Sequence, residues 1–300
     1  MKRIYSLAEA LLVTFLWSTS YVLIKIGLKD INPLAFAAYR YLLGSSILLL
    51  FVLCSPNISM LPITSKRFLW FFTLGFTGYF IAQGLQFVGL YYLPAITVTF
   101  ILNLTPIFVA ILSVLFLKET PSVIQIVGIT LVILGVKIFF TESVLVFNER
   151  IGILITLVSG IGWAVYMILM RHYLRENHES VISLTAISMG VGALMLLGVT
   201  ASSGYITMPS LKTWGIILIL SIVNTAFAFV LWNHALKYLK AYEQSILQNT
   251  MLIQITLLAY AFLGETLTIH KVIGMIIVFC GVLLVQLSPI VCKNRKFKVW

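Results

Sequence analysis

A single shift of 146 residues lays the second half of this chain on its first half. Phe116-Leu117-Lys118-Glu119-Thr120 falls on Phe262-Leu263-Gly264-Glu265-Thr266, Trp17 on Trp163 and Lys25 on Arg171. Asn103 falls on Asn249, Gly128 on Gly274 and Gly135 on Gly281, all without a gap. One offset that holds from residue 17 to residue 281 marks a duplication. Each copy holds an odd number of apolar spans, so the second copy must run through a membrane upside down relative to the first. Inverted repeats of this kind are the build of secondary transporters, with the substrate site at the interface between copies.

The membrane itself follows from composition. Hydrophobic residues make up 61% of the chain and charged residues 10%, which excludes an ordinary soluble domain. Ten apolar stretches are long enough to cross a hydrocarbon core of about 30 Å. They lie near 8–28, 33–54, 68–90, 94–117 and 122–140, then 151–171, 180–201, 211–233, 241–263 and 268–288. The runs are continuous rather than alternating, so they read as helices and not barrel strands. The expected fold is an all-α integral membrane protein of ten transmembrane helices in a 5+5 inverted repeat. Its copies span 8–140 and 151–288, followed by a basic cytoplasmic tail over 289–300. The first span follows Lys2 and Arg3 as a signal peptide would, but it has a repeat partner and reads as a retained helix.

A net charge of +11 invites a nucleic-acid reading, yet its distribution describes topology. Loops on the N-terminal side carry Lys2, Arg3, Lys66, Arg67, Lys118, Arg171, Arg175, Lys237, Lys240, Lys293, Arg295, Lys296 and Lys298. The other side carries only Lys25, Lys29, Lys137, Arg150, Lys212 and Lys271. By the positive-inside rule both termini are expected in the cytoplasm, in a multi-pass protein of the cell membrane. The lipid bilayer is the expected partner and nucleic acid is not; both a monomer and a homodimer stay open.

Polar side chains in mid-span carry the functional information. Thr99, Asn103, Pro106, Ala110 and Ser113 share one face of the fourth span, and Ser245, Asn249, Leu252, Thr256 and Ala259 repeat it in the ninth. Asn103 and Asn249 are expected either to line a wet cavity or to bond across helices. Tyr79, Gln83 and Gln86 form a stripe in the third span, where the eighth places Thr225, Phe229 and Trp232. With Gln248, this predicts a cavity amide-rich on one side and aromatic on the other, suited to a solute with polar groups and an apolar body. Trp17 with Tyr21, and Trp163 with Met167, add aromatic surface or simple packing. Arg40 is the deepest charge; it snorkels, pairs with carbonyls, meets an anionic solute or locks a gate. Pro106 is expected to kink its span, and the glycines of spans five and ten to permit close helix approach.

Glu9, Glu119, Glu243 and Glu265 map to span ends, leaving no carboxylate expected in a span core. Glu119 and Glu265 are expected to cap helix ends or pair with bases. Cys54, Cys280 and Cys292 show no CxxC spacing, and His172, Glu176, His178 and Glu179 fit no tight tetrahedral site. No metal, cofactor or catalytic constellation is expected.

The ordered set of motifs resembles the EamA family of the drug/metabolite transporter superfamily. The first copy carries Trp17-Ser18, Pro33, Arg40, Pro106, Glu119-Thr120, Gly128 and Gly135. The second keeps Gly162-Trp163, Glu265-Thr266, Gly274 and Gly281, with Leu252 in place of the proline and Ala186 in place of the arginine. The resemblance implies ten spans, inverted topology, a cavity built from spans 1, 3, 4, 6, 8 and 9, and export of amino acids, metabolites or drugs. The sodium-coupled amino-acid transporters share a 5+5 plan but unwind their first span at Gly or Pro; none lies between Ala8 and Ile26.

The expected function is thus a carrier moving a small amphipathic metabolite, such as an amino acid or derivative, by alternating access. Its expected binding residues are Trp17, Tyr21, Tyr79, Gln83, Gln86, Asn103, Trp163, Trp232, Gln248 and Asn249. Arg40, Pro106, Glu119 and Glu265 are expected to gate or support. A multidrug exporter is the alternative; a membrane-embedded enzyme or a non-transporting interaction protein is more remote.

Overall fold

In the computed structural model, residues 2–56, 64–108, 123–141, 146–177, 180–239, 244 and 247–296 are described. Their regular structure is helical throughout. Five helices form the first copy: α1 (Lys2–Gly27), α2 (Pro33–Cys54), α3 (Ser65–Tyr92), α4 (Ala95–Leu102) and α5 (Val123–Phe139). Five form the second: α6 (Phe147–Glu176), α7 (Val181–Ser202), α8 (Leu211–Tyr238), α9 (Thr250–Leu263) and α10 (Ile269–Lys296). The α1, α2, α3, α6, α7 and α8 helices are each long and apolar enough to cross a membrane, and the apolar stretches of the other four are shorter. Their outer faces present bare side chains such as Phe15, Leu53, Leu154 and Leu257, a surface for acyl chains rather than water. The α10 helix runs to Lys296, so the segment expected as a tail from 289 begins as its continuation.

Local chemistry sets the helix ends. Asn32 Oδ1 accepts the Leu34 N–H at 2.9 Å ahead of Pro33, and proline at the first helical position forfeits a donor that had no partner anyway. The α9 helix stops at Gly264, whose φ of 65° puts it in the left-handed region.

Packing is symmetric between copies. The α1 helix lies against α8 and α9, and its counterpart α6 lies against α3 and α4; α2 pairs with α7, α4 with α9 and α5 with α10. Glycines set the last contact. A Cβ on Gly128 would come 2.7 Å from the Gly281 carbonyl oxygen, and one on Gly135 would come 2.9 Å from that of Gly274. The backbones touch, as close crossings in lipid require.

The periodicity of the sequence did not foretell how α3 and α8 are wound. Gly75–Gly84 and Ile222–Phe227 are π-helical, and the 146-residue shift places the second inside the first. A π turn displaces carbonyls from the regular ladder and marks functional sites in many helices. In a bilayer such carbonyls need other donors, and those donors build the site.

Candidate functional site

At the seam between copies, the carbonyl of Asn224, in the π turn of α8, accepts from Trp17 Nε1 and from Arg40 Nη2, each at 3.1 Å. Arg40 Nε donates to Thr225 Oγ1 at 2.6 Å, and Ser221 Oγ donates to the Arg40 carbonyl at 3.0 Å. The Asn224 side-chain amide returns to the first copy, bonding the Leu16 carbonyl and Thr19 Oγ1. In the π-helix of α3, the Ala82 carbonyl accepts from Ser159 Oγ of α6 at 2.5 Å. Thus each copy's π-helix is tied to the other copy.

Between these ties lies a space bordered by Trp17, Ser20 and Tyr21 of α1, Arg40 of α2, Ala82, Gln83 and Gln86 of α3, and Leu102 of α4. Ser159 and Trp163 of α6, with Gln248 and Met251 at the α9 end, close the other side. Its open volume is about 30 Å³, room for roughly two waters. A second space of about 220 Å³ lies between α9 and α10, lined by Leu252, Ile253, Leu257, Met275, Ile276 and their apolar neighbours, with Thr256 the polar exception. Larger as it is, it has little with which to orient a polar solute.

Six of the ten side chains expected to bind solute border the seam space: Trp17, Tyr21, Gln83, Gln86, Trp163 and Gln248. Arg40, expected to gate or support, borders it too. Tyr79 and Trp232 stand behind it, fully buried in an aromatic wall. There Trp17 meets Trp232 at 4.9 Å and Phe229 at 5.0 Å between ring centroids, and Tyr79 meets Phe229 at 5.2 Å. The Tyr79 and Tyr166 hydroxyls lie 3.2 Å apart, and Tyr166 OH accepts from Asn233 Nδ2 at 3.0 Å. The Trp17 and Trp163 indoles are tolerated in mid-span because their N–H groups find acceptors: Trp17 on the Asn224 carbonyl, Trp163 on Gln248 Oε1 at 3.0 Å.

Asn103 and Asn249 do not border the space. They sit at matching breaks in the fourth and ninth spans, one ending α4 and the other preceding α9. Asn103 Nδ2 donates to the Thr99 carbonyl of its own helix at 2.9 Å. Helical backbone resumes at Thr105, so Pro106 occupies a first helical turn, where its missing N–H costs least.

The sequence placed Glu9 at a span end open to water. Its side chain is only 23% exposed, and Glu9 Oε2 lies 2.8 Å from His234 Nδ1, joining α1 to α8. Glu265 clasps the start of α4: its two carboxylate oxygens accept from the Ala95 N–H at 2.6 Å and the Ile96 N–H at 2.9 Å. Lys25 holds the preceding helix end, donating to the Leu90 and Leu93 carbonyls at 2.8 and 2.9 Å. Arg171 does the same to Leu236 and Leu239, each one repeat later. Both cations meet the negative end of a helix. Glu119, Ala110, Ser113, Lys118, Lys240, Glu243, Ser245, His178 and Glu179 lie outside the described residues. His172 Nε2 lies 3.3 Å from Glu176, and no cluster suited to a metal occurs among the described residues.

Reading the sequence missed Ser20 and Ser159, and it placed Thr225 on the cavity stripe without foreseeing its bond to Arg40. Ser20 follows Trp17 at i+3, a spacing that could have revealed it; Ser159 and Thr225 act through π-helical geometry, which has no pattern in the sequence.

The same two-copy plan recurs in known proteins. A solved crystal structure superposes with a TM-score of 0.69 over 95% of this chain and 98% of its own, at 16% identity, a likeness of fold. An uncharacterised transporter of Archaeoglobus fulgidus is 29% identical, with 91% of this chain and 94% of the relative covered. YyaM, an uncharacterised transporter of Bacillus subtilis, is 26% identical over 88% of both. Residues 5–141 and 150–287 each match the EamA-like transporter family. The chain therefore belongs to the EamA-like transporter family and is a multi-pass membrane transporter with two five-helix copies.

Proposed function

We propose that this transporter carries a small amphipathic solute, an amino acid or related metabolite, through the seam between copies by alternating access. Export is the direction implied by the family resemblance. The observation that carries the reading is the space at the seam bordered by repeat-matched tryptophans, amides and Arg40. At about 30 Å³ it is too small for a metabolite, so binding requires the copies to part. The Trp232 indole N–H and Gln244 Oε1 are buried without partners among the described residues. An open polar group of this kind costs about 1–3 kcal/mol, a cost that rearrangement or solute could remove. The wall of aromatic rings also keeps a lipophilic-drug exporter in view as the second reading.

The proposed units are 8–140 and 151–288, with both termini in the cytoplasm of a cell-membrane protein, as the loop cations require. The test is labelling of single cysteines after Cys54, Cys280 and Cys292 are replaced by serine. Ser20→Cys should react with an impermeant maleimide from each membrane face in turn as solute gradients are reversed. Reaction from one face under every condition would sink alternating access. Lys293→Cys should react from the cytoplasm and Val146→Cys from outside; the reverse pattern would overturn the orientation.

A further inference from the structure

The seam holds a positive charge with no negative partner among the described residues. Arg40 is 2% exposed. Its guanidinium carbon lies 5.3 Å from the Tyr41 ring centroid and 5.7 Å from that of Phe87. Two N–H groups are used, on Thr225 Oγ1 and the Asn224 carbonyl. Both acceptors are neutral. The rest of the guanidinium fork has no hydrogen bond among the described residues, and Arg40 borders the open space.

Each acid among the described residues is committed elsewhere. Glu9 faces His234, Asp30 accepts from the Ser210 N–H, and Glu149 caps its own helix through the Val146 N–H. Glu176 pairs with His172, and Glu265 binds the start of α4. No carboxylate among the described residues borders the space itself.

A buried cation is tolerated when it is paired, and burying it unpaired is costly. Neutral acceptors and aromatic faces offset part of that cost and leave a field that attracts anions and repels cations. A guanidinium presents a planar donor fork that matches a carboxylate. Beside it, Trp17, Trp163 and Gln86 border the same space.

We propose that the seam site selects a small organic anion, a carboxylate on an aromatic or alkyl body, with Arg40 receiving the carboxylate and the paired tryptophans the apolar part. This rests on the carrier reading above and narrows it: zwitterions would bind through their carboxylate, and lipophilic cations would be excluded.

The test needs no variant at first. Binding of phenylacetate, phenylacetamide and phenethylamine to the purified full-length protein compares an anion, a neutral amide and a cation on one ring. Phenylacetate should bind at least about tenfold more tightly than the other two. Arg40→Gln should weaken it by about thirtyfold or more, the scale expected when one partner of a buried charge pair is truncated, and Arg40→Lys should restore part of the loss. Equal binding of all three probes, preference for the amine, or no binding of any at millimolar concentration would each overturn the anion site. So would an Arg40→Gln protein that folds and keeps full phenylacetate affinity. If Arg40→Gln fails to fold, the probe comparison on the unaltered protein decides alone. Two-sided reactivity of Ser20→Cys reports on alternating access separately, so the anion site can fail while the carrier reading stands.

Discussion

Replacing Glu265 tests whether the second copy holds the first copy's fourth span in place. The Glu265 carboxylate accepts from the Ala95 N–H at 2.6 Å and the Ile96 N–H at 2.9 Å. Both donors belong to fully or almost fully buried residues at a helix start, where no intrahelical acceptor exists. Hydrogen bonds to a charged group contribute about 1.5–3 kcal/mol each, and an anion at a helix N-terminus adds about 0.3–1 kcal/mol. Glu265 is half-buried, so water recovers part of this loss. Glu265→Ala should therefore cost about 2–4 kcal/mol. Glu265→Gln keeps one acceptor oxygen and loses the charge, and should cost about half as much. Steric-trap unfolding in micelles measures both, and hydrogen exchange should show faster exchange at the amides of Ala95 and Ile96. Two variants within about 0.5 kcal/mol of the parent, with those amides still protected, would refute the clasp.

Lys25→Met and Arg171→Met each strip the donor from two helix-end carbonyls and should cost about 1–3 kcal/mol; the double variant should equal the sum within about 0.5 kcal/mol, and strong coupling in the same unfolding assay would contradict independent repeat-related caps. Gly281→Val places a Cβ 2.7 Å from the Gly128 carbonyl oxygen, so the α5–α10 crossing should loosen at a cost of about 1–3 kcal/mol, and a disulfide-trapping pair across that crossing should form less readily. Asp30, in the loop between α1 and α2, is held below the usual carboxylate range mainly by the Ser210 backbone N–H, with the Ser210 and Thr213 side chains assisting. A depressed carboxyl stabilises the fold fully above its unfolded value, near pH 3.9, and loses that contribution as pH falls through the folded value. Asp30→Asn should thus lower the melting temperature at neutral pH, with the difference shrinking under more acid conditions; a pH-independent difference would contradict this.

Much of the architecture was legible because a membrane leaves few options. Continuous apolar runs of span length become helices, since backbone groups in lipid must be satisfied within the segment. The constant offset then relates five helices to five others. It also pointed to equivalent roles that depend on backbone position: Lys25 and Arg171 hold carbonyls one repeat apart, and Gly128 and Gly135 meet their own repeat mates. Side-chain direction was legible where a helix is regular, as for Trp17 with Tyr21. It failed where the helix breaks. Asn103 and Asn249 read as mid-span residues of continuous helices, yet both stand at breaks, where Asn103 Nδ2 donates to the Thr99 carbonyl of its own helix.

The sequence by itself determined the membrane, the ten helices, the duplication and the residue types able to meet a polar solute, because hydropathy and repeat spacing are local or linear properties. Only the tertiary structure decided which of those residues converge. The π turns of α3 and α8 redirect carbonyls across the seam, so Arg40, Trp17 and Asn224, far apart in sequence, share one hydrogen-bonded junction. Those carbonyls must find donors in a medium without water, and it was the opposite copy that supplied them.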